Sequence, residues 1–232
     1  MNTNIQATKE LNKIDIDKSE INKKAYRIIK RIIDIIGALI GSIVLVPLTA
    51  CIWLANIITK DNGPVFYAHE RIGKNGKVFK MYKYRTMCNN AHDMVKDEET
   101  MKRHFSKEQI EEWRENYKIE DDPRITKIGQ FLRKTSLDEI PQVINILKGD
   151  LSIIGPRPVV EEELEMYEEN KEKFLSVTPG LTGYWAANGR SDTSYEERMK
   201  MELYYVDNIS LKLDMKIFFK TILVVLKREG AV

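Results

Sequence analysis

The chain has 232 residues, and its 37 Lys and Arg residues nearly balance its 35 Asp and Glu residues, which leaves a formal net charge of +2. This balance excludes the strongly basic surface that is typical of nucleic-acid-binding proteins, so nucleic acid is not expected as a partner. Two cysteines give no disulfide framework. The three histidines have no metal-ligand spacing, so we expect no histidine metal site.

The N-terminal part of the chain changes from polar to apolar within about sixty residues. Residues 1–22 form a polar leader, and a basic cluster follows at Lys23, Lys24, Arg27, Lys30 and Arg31. The stretch from Ile35 to Ile58 has no charged residue. At about 1.5 Å per residue, a helix of this length crosses a hydrocarbon core of roughly 30 Å. The sequence therefore predicts a membrane segment over residues 23–60.

The path of this segment through the membrane is left open by the residues themselves. Pro47 lies in its middle and removes one backbone hydrogen bond, which favours a bend. Basic residues flank the segment on both sides, so the positive-inside rule selects no orientation. A spanning helix and a re-entrant hairpin both satisfy these observations.

A β-hairpin is predicted next. Residues 65–67 and 78–84 are β-prone, and Asn75-Gly76 between them is a strong turn signal. Alternation in the second arm places Lys80 on one face, with Phe79 and Met81 on the other. The lysine face either meets solvent or binds lipid headgroups or a diphosphate.

A charged helical region is predicted over residues 89–120, with an apolar packing stripe from Met94 to Tyr117. Asp121-Asp122-Pro123-Arg124 ends it, and a short helix follows over residues 125–134. Later, residues 161–173 predict an acidic helix and residues 179–190 a loop that serves binding or packing. Residues 214–228 predict an amphipathic helix that packs on the core or lies in the membrane interface.

Residues 135–158 contain the densest set of chemically active side chains. Asp138 and Glu139 are adjacent, and Pro141 is tolerated only in a first helical turn, so a helix is expected to start near Asp138. One interpretation is capping, with Ser136 and Glu139 at capping-box spacing or Asp138 as the N-cap. The other is a nucleophilic carboxylate at an anion-attracting helix end. The prolines on both sides of Arg157 would hold its guanidinium in place.

Four motifs together resemble a known family, the bacterial polyprenyl-phosphate glycosyl-1-phosphate transferases, which are monotopic phosphoglycosyl transferases. The motifs are KYRTM (83–87), DPRITKIGQFLRKTSLDEIPQVINILKGDLSIIGPRP (122–158), PGLTGYWAANGR (179–190) and YYVDNISLKLDMKI (204–217). The stretch 189–199 most resembles the branch that transfers galactose or glucose 1-phosphate. Many members carry a glutamine- or valine-containing segment where this chain reads WAAN (185–188). The large members have an additional N-terminal membrane region that does not occur in this sequence, so a minimal catalytic unit is expected.

The resemblance implies transfer of a sugar 1-phosphate from a UDP-sugar to undecaprenyl phosphate, with release of UMP. This is the first membrane step of polysaccharide, capsule or O-antigen synthesis. Asp138 would form an aspartyl-phosphate-sugar intermediate, with Glu139 as its catalytic neighbour and both carboxylates near Mg²⁺. The expected substrate-binding residues are Arg157, Arg190, Lys83, Arg85 and Arg124.

The family also implies a re-entrant membrane helix bent at Pro47, with membrane lipids around it, at the cytoplasmic face of the bacterial inner membrane. The expected fold is mainly helical α+β, in which this helix, the β-hairpin and amphipathic interfacial helices surround a small catalytic domain. Its divisions would be residues 1–22, 23–60 and 61–232. A homodimer is compatible with the sequence. The alternative function is a non-catalytic membrane scaffold or lipid-binding partner in a polysaccharide assembly complex.

Overall fold

The computed structural model of the chain describes residues 2–116, 119, 121–189 and 193–227. Tyr117 and Arg190, both named by the sequence predictions, lie outside the described residues. Helices dominate and the strands are few and short, which confirms the mainly helical α+β class. In chain order the elements are α1 (Asn2–Ile58), β1 (Phe66–Ile72), β2 (Val78–Tyr84), α2 (Glu98–His104), α3 (Lys107–Asn116), α4 (Lys127–Lys134), α5 (Gln142–Lys148), β3 (Ser152–Ile154), α6 (Glu161–Glu165), α7 (Lys171–Leu175), β4 (Gly180–Thr182), α8 (Tyr184–Asn188), α9 (Tyr195–Asp207) and α10 (Leu211–Lys227).

Helix α1 continues without interruption through Pro47, and the backbone of residues 2–22 belongs to it. One stripe of α1 packs on the rest of the protein, with buried residues at Asp34, Ala38, Ile52 and Asn56. Gly37 and Gly41 allow the closest approach, because a Cβ atom there would lie 2.4 Å from Ile153 Cδ1 and 2.8 Å from Val143 Cγ1 respectively. The helix is therefore part of the folded core and not only an attached anchor.

The opposite side of α1 exposes large apolar residues along its length, among them Ile40, Ile43, Val46, Trp53 and Ile58. From Lys23 to Ile58 the helix is long and apolar enough to cross a membrane. Its 36 residues measure about 54 Å at 1.5 Å per residue. A continuous apolar face of this size indicates a membrane protein, since water-exposed helices rarely carry one. The choice between a spanning and a re-entrant path stays a prediction.

The predicted hairpin is confirmed. Strands β1 and β2 pair antiparallel from Phe66↔Tyr84 to Ile72↔Val78. The turn places Asn75 at φ 57° and Gly76 at φ 75°, the left-handed conformations that Asn-Gly adopts readily. Along β2, Phe79 and Met81 are buried whereas Lys80 is exposed, as the alternation predicted.

Helix α5 is fixed to the hairpin by one fully buried side chain, Asn145. Its Nδ2 donates to the Lys80 carbonyl at 2.7 Å, and its Oδ1 accepts from the Tyr82 amide at 3.0 Å. The side chain thus completes the free edge of β2 as a neighbouring strand would. At the C-terminal end of α5, Arg31 of α1 donates to the carbonyls of Ile146 (2.6 Å) and Leu147 (2.9 Å), which caps the helix.

The prediction that residues 179–190 form a loop was wrong. Strand β4 pairs parallel with β3, with Ser152 opposite Gly180 and Ile154 opposite Thr182, and α8 follows directly. The pairing needs glycine at Gly180, because a Cβ atom there would lie 2.1 Å from the Gly155 nitrogen. The carboxyl ends of β3 and β4 consequently lie side by side, so the segments that follow them are neighbours.

The other helical predictions were partly correct. The apolar stripe of residues 89–120 is confirmed, since Met94, Met101, Phe105 and Ile110 form one buried cluster with Ile119. Helices α4 and α10 also form where predicted. The acidic helix of residues 161–173 is instead broken into α6, a 3₁₀ turn and α7, with Glu168 at φ 45° in between.

Candidate active site

The predicted carboxylate pair lies on a single 3₁₀ turn, Leu137–Glu139, and not at the start of an α-helix. Ser136 precedes it in the left-handed conformation (φ 55°) and makes no capping hydrogen bond. Helix α5 begins only at Gln142, with Pro141 in the N-cap position. Helical backbone therefore does begin beside Asp138, but as a 3₁₀ turn and not as an α-helix. Both capping interpretations were wrong, because neither Ser136 nor Asp138 makes a capping hydrogen bond with its side chain.

Lys83 of β2 lies opposite both carboxylates. Its Nζ is 2.7 Å from Glu139 Oε1 and 3.8 Å from Asp138 Oδ2. The Asp138 side chain is only 13% exposed. Burial raises the pKa of the Asp138 carboxyl, and Glu139 adds to the rise, whereas Lys83 and Arg133 oppose it. Lys83 thus neutralises Glu139 closely and Asp138 only loosely.

Arg133 is a further cation of this site that was absent from the predicted site residues. It stands in the last turn of α4, where its Nε donates to Thr86 Oγ1 at 3.0 Å. Its charge acts on the Asp138 carboxyl. The available signal was its place in the sequence, five residues before Asp138.

Arg157 lies in the turn that follows β3. Its backbone amide donates to Glu202 Oε1 at 3.1 Å. Its guanidinium is exposed and stands 5.8 Å from the ring centre of Trp185, the second residue of α8. No carboxylate within the described part of the chain forms an ion pair with it. The parallel pairing of β3 with β4 therefore presents an exposed cation beside an aromatic ring.

Two further arginines join Arg157 in what we call the arginine cluster, Arg71, Arg157 and Arg198. Glu163 holds two of them together, with Oε2 at 3.3 Å from Arg71 Nη1 and Oε1 at 3.3 Å from Arg198 Nη1. The guanidinium of Arg198 packs over the rings of Trp185 (4.9 Å) and Tyr195 (5.0 Å). Sequence reasoning missed Arg71 and Arg198, which come from strand β1 and helix α9.

The carboxylate pair and the arginine cluster are connected by one face of the hairpin. Tyr67 pairs with Lys83 at one end of β1, and Arg71 lies four residues further along the same face. At about 3.3 Å per residue, this separation is roughly 13 Å. His69 lies between them, and burial, followed by the charges of Arg71 and Lys83, lowers the pKa of its imidazole.

Arg85 and Arg124, two of the predicted substrate-binding residues, have fixed structural partners. Arg85 forms an ion pair with Asp61 at 3.0 Å and donates to the carbonyls of Pro64 and Met87. Arg124 is 5% exposed, and its guanidinium donates twice to Asp122 Oδ2, at 2.6 Å and 3.0 Å. It also packs between Phe105 and Trp113. Their substrate-binding role stays a prediction.

Among the described residues, no group of three or more His, Cys, Asp or Glu side chains is arranged to hold a metal ion. The carboxylate pair nevertheless fits Mg²⁺. This ion usually binds through one or two carboxylates, with waters and substrate phosphates completing its octahedron, and Asp138 and Glu139 supply two adjacent carboxylates.

Comparison with known proteins identifies the family to which this arrangement belongs. The model of the family described as "Bacterial sugar transferase" matches residues 25–228, which include α1 from Ala25 onward, the hairpin, the carboxylate pair and the arginine cluster. The chain belongs to the bacterial sugar transferase family. The resemblance stated from the motifs is thereby confirmed.

Three curated relatives illustrate the match. The undecaprenyl-phosphate galactose phosphotransferase of Salmonella typhimurium is 41% identical over 216 residues, which are 92% of this chain and 44% of that protein. The UDP-galactose-lipid carrier transferase of Erwinia amylovora is 44% identical over 213 residues, with 92% and 43% covered. The exopolysaccharide production protein ExoY of Sinorhizobium fredii is 45% identical over 205 residues, with 87% of both chains covered. This chain therefore spans less than half of the first two relatives and most of the third.

Proposed function

We propose that the chain transfers a sugar 1-phosphate from a UDP-sugar to undecaprenyl phosphate at the cytoplasmic face of the bacterial inner membrane, as the first membrane step of polysaccharide synthesis. The observation that carries the proposal is the half-neutralised carboxylate pair, in which Lys83 contacts Glu139 at 2.7 Å and leaves Asp138 at 3.8 Å. The names of the relatives support both substrates.

Asp138 is the nucleophile of the proposed reaction. One carboxylate oxygen attacks the sugar-bearing phosphorus, the bond from that phosphorus to the bridging oxygen breaks, and UMP leaves with the electron pair. The resulting acyl phosphate is then attacked by an oxygen of undecaprenyl phosphate, which releases the Asp138 carboxylate and forms the lipid-linked product. Two displacements replace one difficult step, which is the advantage of covalent catalysis.

The surroundings of Asp138 suit a nucleophile. Burial removes water from the carboxylate and makes it more reactive, while raising its pKa. Lys83 and Arg133 act in the opposite direction and favour the ionised form that the attack requires. Mg²⁺, when bound at Asp138 and Glu139, would neutralise phosphate charge and so reduce the repulsion between nucleophile and diphosphate.

The hairpin separates the two ends of the donor. The carboxylate pair would meet the sugar-bearing phosphate, and the arginine cluster would meet the nucleotide end. The face of β1 between Tyr67, which pairs with Lys83, and Arg71 of the cluster spans about 13 Å. The packing of α1 supports a lipid acceptor. Its buried stripe holds the apolar helix against the domain that carries the carboxylate pair and the arginine cluster, so the lipid that surrounds the helix would lie beside both. The re-entrant path, the surrounding lipids and a homodimer remain parts of the proposal.

The decisive experiment measures isotope exchange. Purified protein in lipid nanodiscs is incubated with Mg²⁺, labelled UMP and a panel of UDP-sugars, without undecaprenyl phosphate. An acyl-phosphate intermediate predicts label in the matching UDP-sugar, because the first half-reaction is reversible alone. Addition of undecaprenyl phosphate should then give net UMP release.

Asp97→Asn is the control for the loss of a carboxylate outside the site, because Asp97 caps α2. It should keep both the exchange and the UMP release. Exchange that requires undecaprenyl phosphate would contradict the covalent intermediate. No UMP release with any donor would contradict transfer itself and favour the non-catalytic scaffold.

A further inference from the structure

Glu202 is a charged residue in an unusual position. It lies on α9 and is only 1% exposed. It shares the buried face of the helix with Arg198 and Tyr205, at the spacing that brings residues onto one side of a helix. A buried carboxylate costs several kcal/mol unless hydrogen bonds and opposite charges compensate it. Its retention in the core therefore calls for a specific partner.

That partner is the turn that carries Arg157. Oε1 of Glu202 accepts a hydrogen bond from the Arg157 amide at 3.1 Å. The second oxygen, Oε2, is buried and has no hydrogen-bond partner within the described residues. The turn is tightly packed in addition, since a Cβ atom on Gly183 would lie 2.2 Å from the Gly155 carbonyl oxygen and 3.8 Å from Glu202 Oε2.

Several charged or titratable groups act on Glu202 or surround it. Arg157 approaches from the turn after β3 and Arg198 from α9 itself. Tyr167 lies in the segment between α6 and α7, and Tyr195 lies on α9. Burial raises the pKa of both phenols, and the charge of Glu202 adds to the rise. Beyond them, Glu163 of α6 joins Arg198 to Arg71 of β1.

We propose that Glu202 is a positioning residue that fixes Arg157 for the nucleotide end of the donor and takes up a proton when the donor binds. This inference rests on the proposed function, because it assigns the arginine cluster to the nucleotide end of the UDP-sugar. Glu202 does not touch the substrate in this scheme. It acts through the backbone of Arg157 and through the charge of the cluster.

The charge balance explains the proton uptake. With Glu202 ionised, three arginines face two carboxylates, and with Glu202 neutral they face one. Burial raises the pKa of the Glu202 carboxyl to about 7, against the opposing effects of the Arg157 amide and of Arg198. An anionic donor beside the cluster favours the neutral form further. Donor affinity should therefore fall as pH rises above 7, since a proton must then be taken up on binding.

The test measures binding without turnover. Asp138→Asn protein in nanodiscs is titrated with the UDP-sugar that supports turnover in the unmodified protein, between pH 6 and 8.5. The donor diphosphate stays ionised across this range. The Kd is expected to rise about threefold or more from pH 6 to 8.5. Glu202→Gln keeps an acceptor oxygen but no charge, so its Kd should stay near the pH 6 value throughout.

Three further variants separate positioning from general damage. Glu202→Ala removes both the acceptor for the Arg157 amide and the titrating carboxyl, so its Kd should lie about tenfold above the pH 6 value of the protein with Glu202 and should not change with pH. Glu196→Gln, on the exposed side of α9, and His69→Gln should both keep the pH dependence. Thermal unfolding of each variant reports on folding, and Glu202→Gln remains informative if Glu202→Ala does not fold.

The outcomes are distinct. A Kd that does not change with pH, or a Glu202→Gln variant that keeps the pH dependence, overturns this inference and leaves the proposed function intact. Loss of the pH dependence in His69→Gln alone assigns the proton to His69 and also overturns it. Failure of every UDP-sugar to bind overturns the proposed function together with the inference.

Discussion

The carboxylate pair and the arginine cluster use the same arrangement with opposite charges. In the first, one lysine holds Glu139 closely and leaves Asp138 loosely paired. In the second, Glu163 holds Arg71 and Arg198, and the guanidinium of Arg157 forms no ion pair among the described residues. Each region thus keeps one charged group available and fixes the others. The difference is burial, because Asp138 is shielded from solvent and Arg157 is exposed.

The largest expected effect on the rate of UMP release comes from replacing each of the two carboxylates, one at a time, by the corresponding amide. Asp138→Asn should lower the rate of UMP release by about 10⁴-fold, since it removes the nucleophile. Glu139→Gln should cost about 10²-fold, which suits a group that assists and does not attack. Steady-state UMP release measures both. Equal losses in the two variants would remove the distinction drawn between Asp138 and Glu139.

The next effect separates arginines of the fold from arginines of the site. Arg124→Gln breaks a buried ion pair with Asp122 and should lower the free energy of unfolding by about 3 kcal/mol. Arg103→Gln, which removes an exposed pair with Glu99, should change it by less than about 1 kcal/mol. Denaturant unfolding in detergent measures both. A stable Arg124→Gln variant with impaired donor binding would return Arg124 to the site.

Arg157→Gln should impair activity and leave stability unchanged, which is the reverse of the effect expected for Arg124→Gln. We expect kcat/KM to fall by about 10²-fold, as for the loss of one charge-stabilising donor, with the melting temperature unchanged. The backbone amide that Glu202 accepts from is retained in this variant. Arg114→Gln, an exposed arginine of α3, is the matched control. A large fall in melting temperature would indicate that Arg157 belongs to the core.

The smallest effect concerns pH. Burial raises the pKa of Asp138, and Lys83 partly offsets this rise. Lys83→Gln removes the offset, so the pKa of Asp138 should rise further. Because the attack needs the ionised carboxylate, the acidic limb of the pH profile of kcat/KM should move to higher pH. An acidic limb that stays in place would show that ionisation of Asp138 does not control the rate.

Local signals predicted part of this arrangement well. Asn75-Gly76 specifies a turn through its own backbone preferences, so the hairpin followed from a few residues. The apolar stripe that begins at Met94 was predicted for the same reason, because helical periodicity is local. The motifs identified the family, whereas the roles that they suggest for Asp138, Glu139 and Arg157 stay predictions.

The remainder depends on contacts between distant residues. The pairing of β4 with β3 is parallel and joins residues nearly thirty positions apart. The glycines in residues 179–190 favoured a loop, because no local signal indicated this distant partner strand. Glu202 and Arg198 stand in an ordinary charged helix, and only their shared spacing with Tyr205 indicated that they face inward. At Asp138, Pro141 occupied the N-cap position that the capping-box pattern had assigned upstream.

The packing of α1 has a consequence for protein production. Tyr84 contacts α1 through its hydroxyl group, 2.7 Å from Thr49 Oγ1 and 3.1 Å from the Leu45 carbonyl oxygen, and Lys83 is its neighbour in β2. Asp34 of α1 likewise accepts from Ser152 and Ile153 in β3. Expression of residues 61–232 alone would expose Tyr84, Leu132 and Val143 and leave both strands without these partners. The smallest unit that folds and can be purified should therefore include the helix, together with the detergent or lipid that it requires.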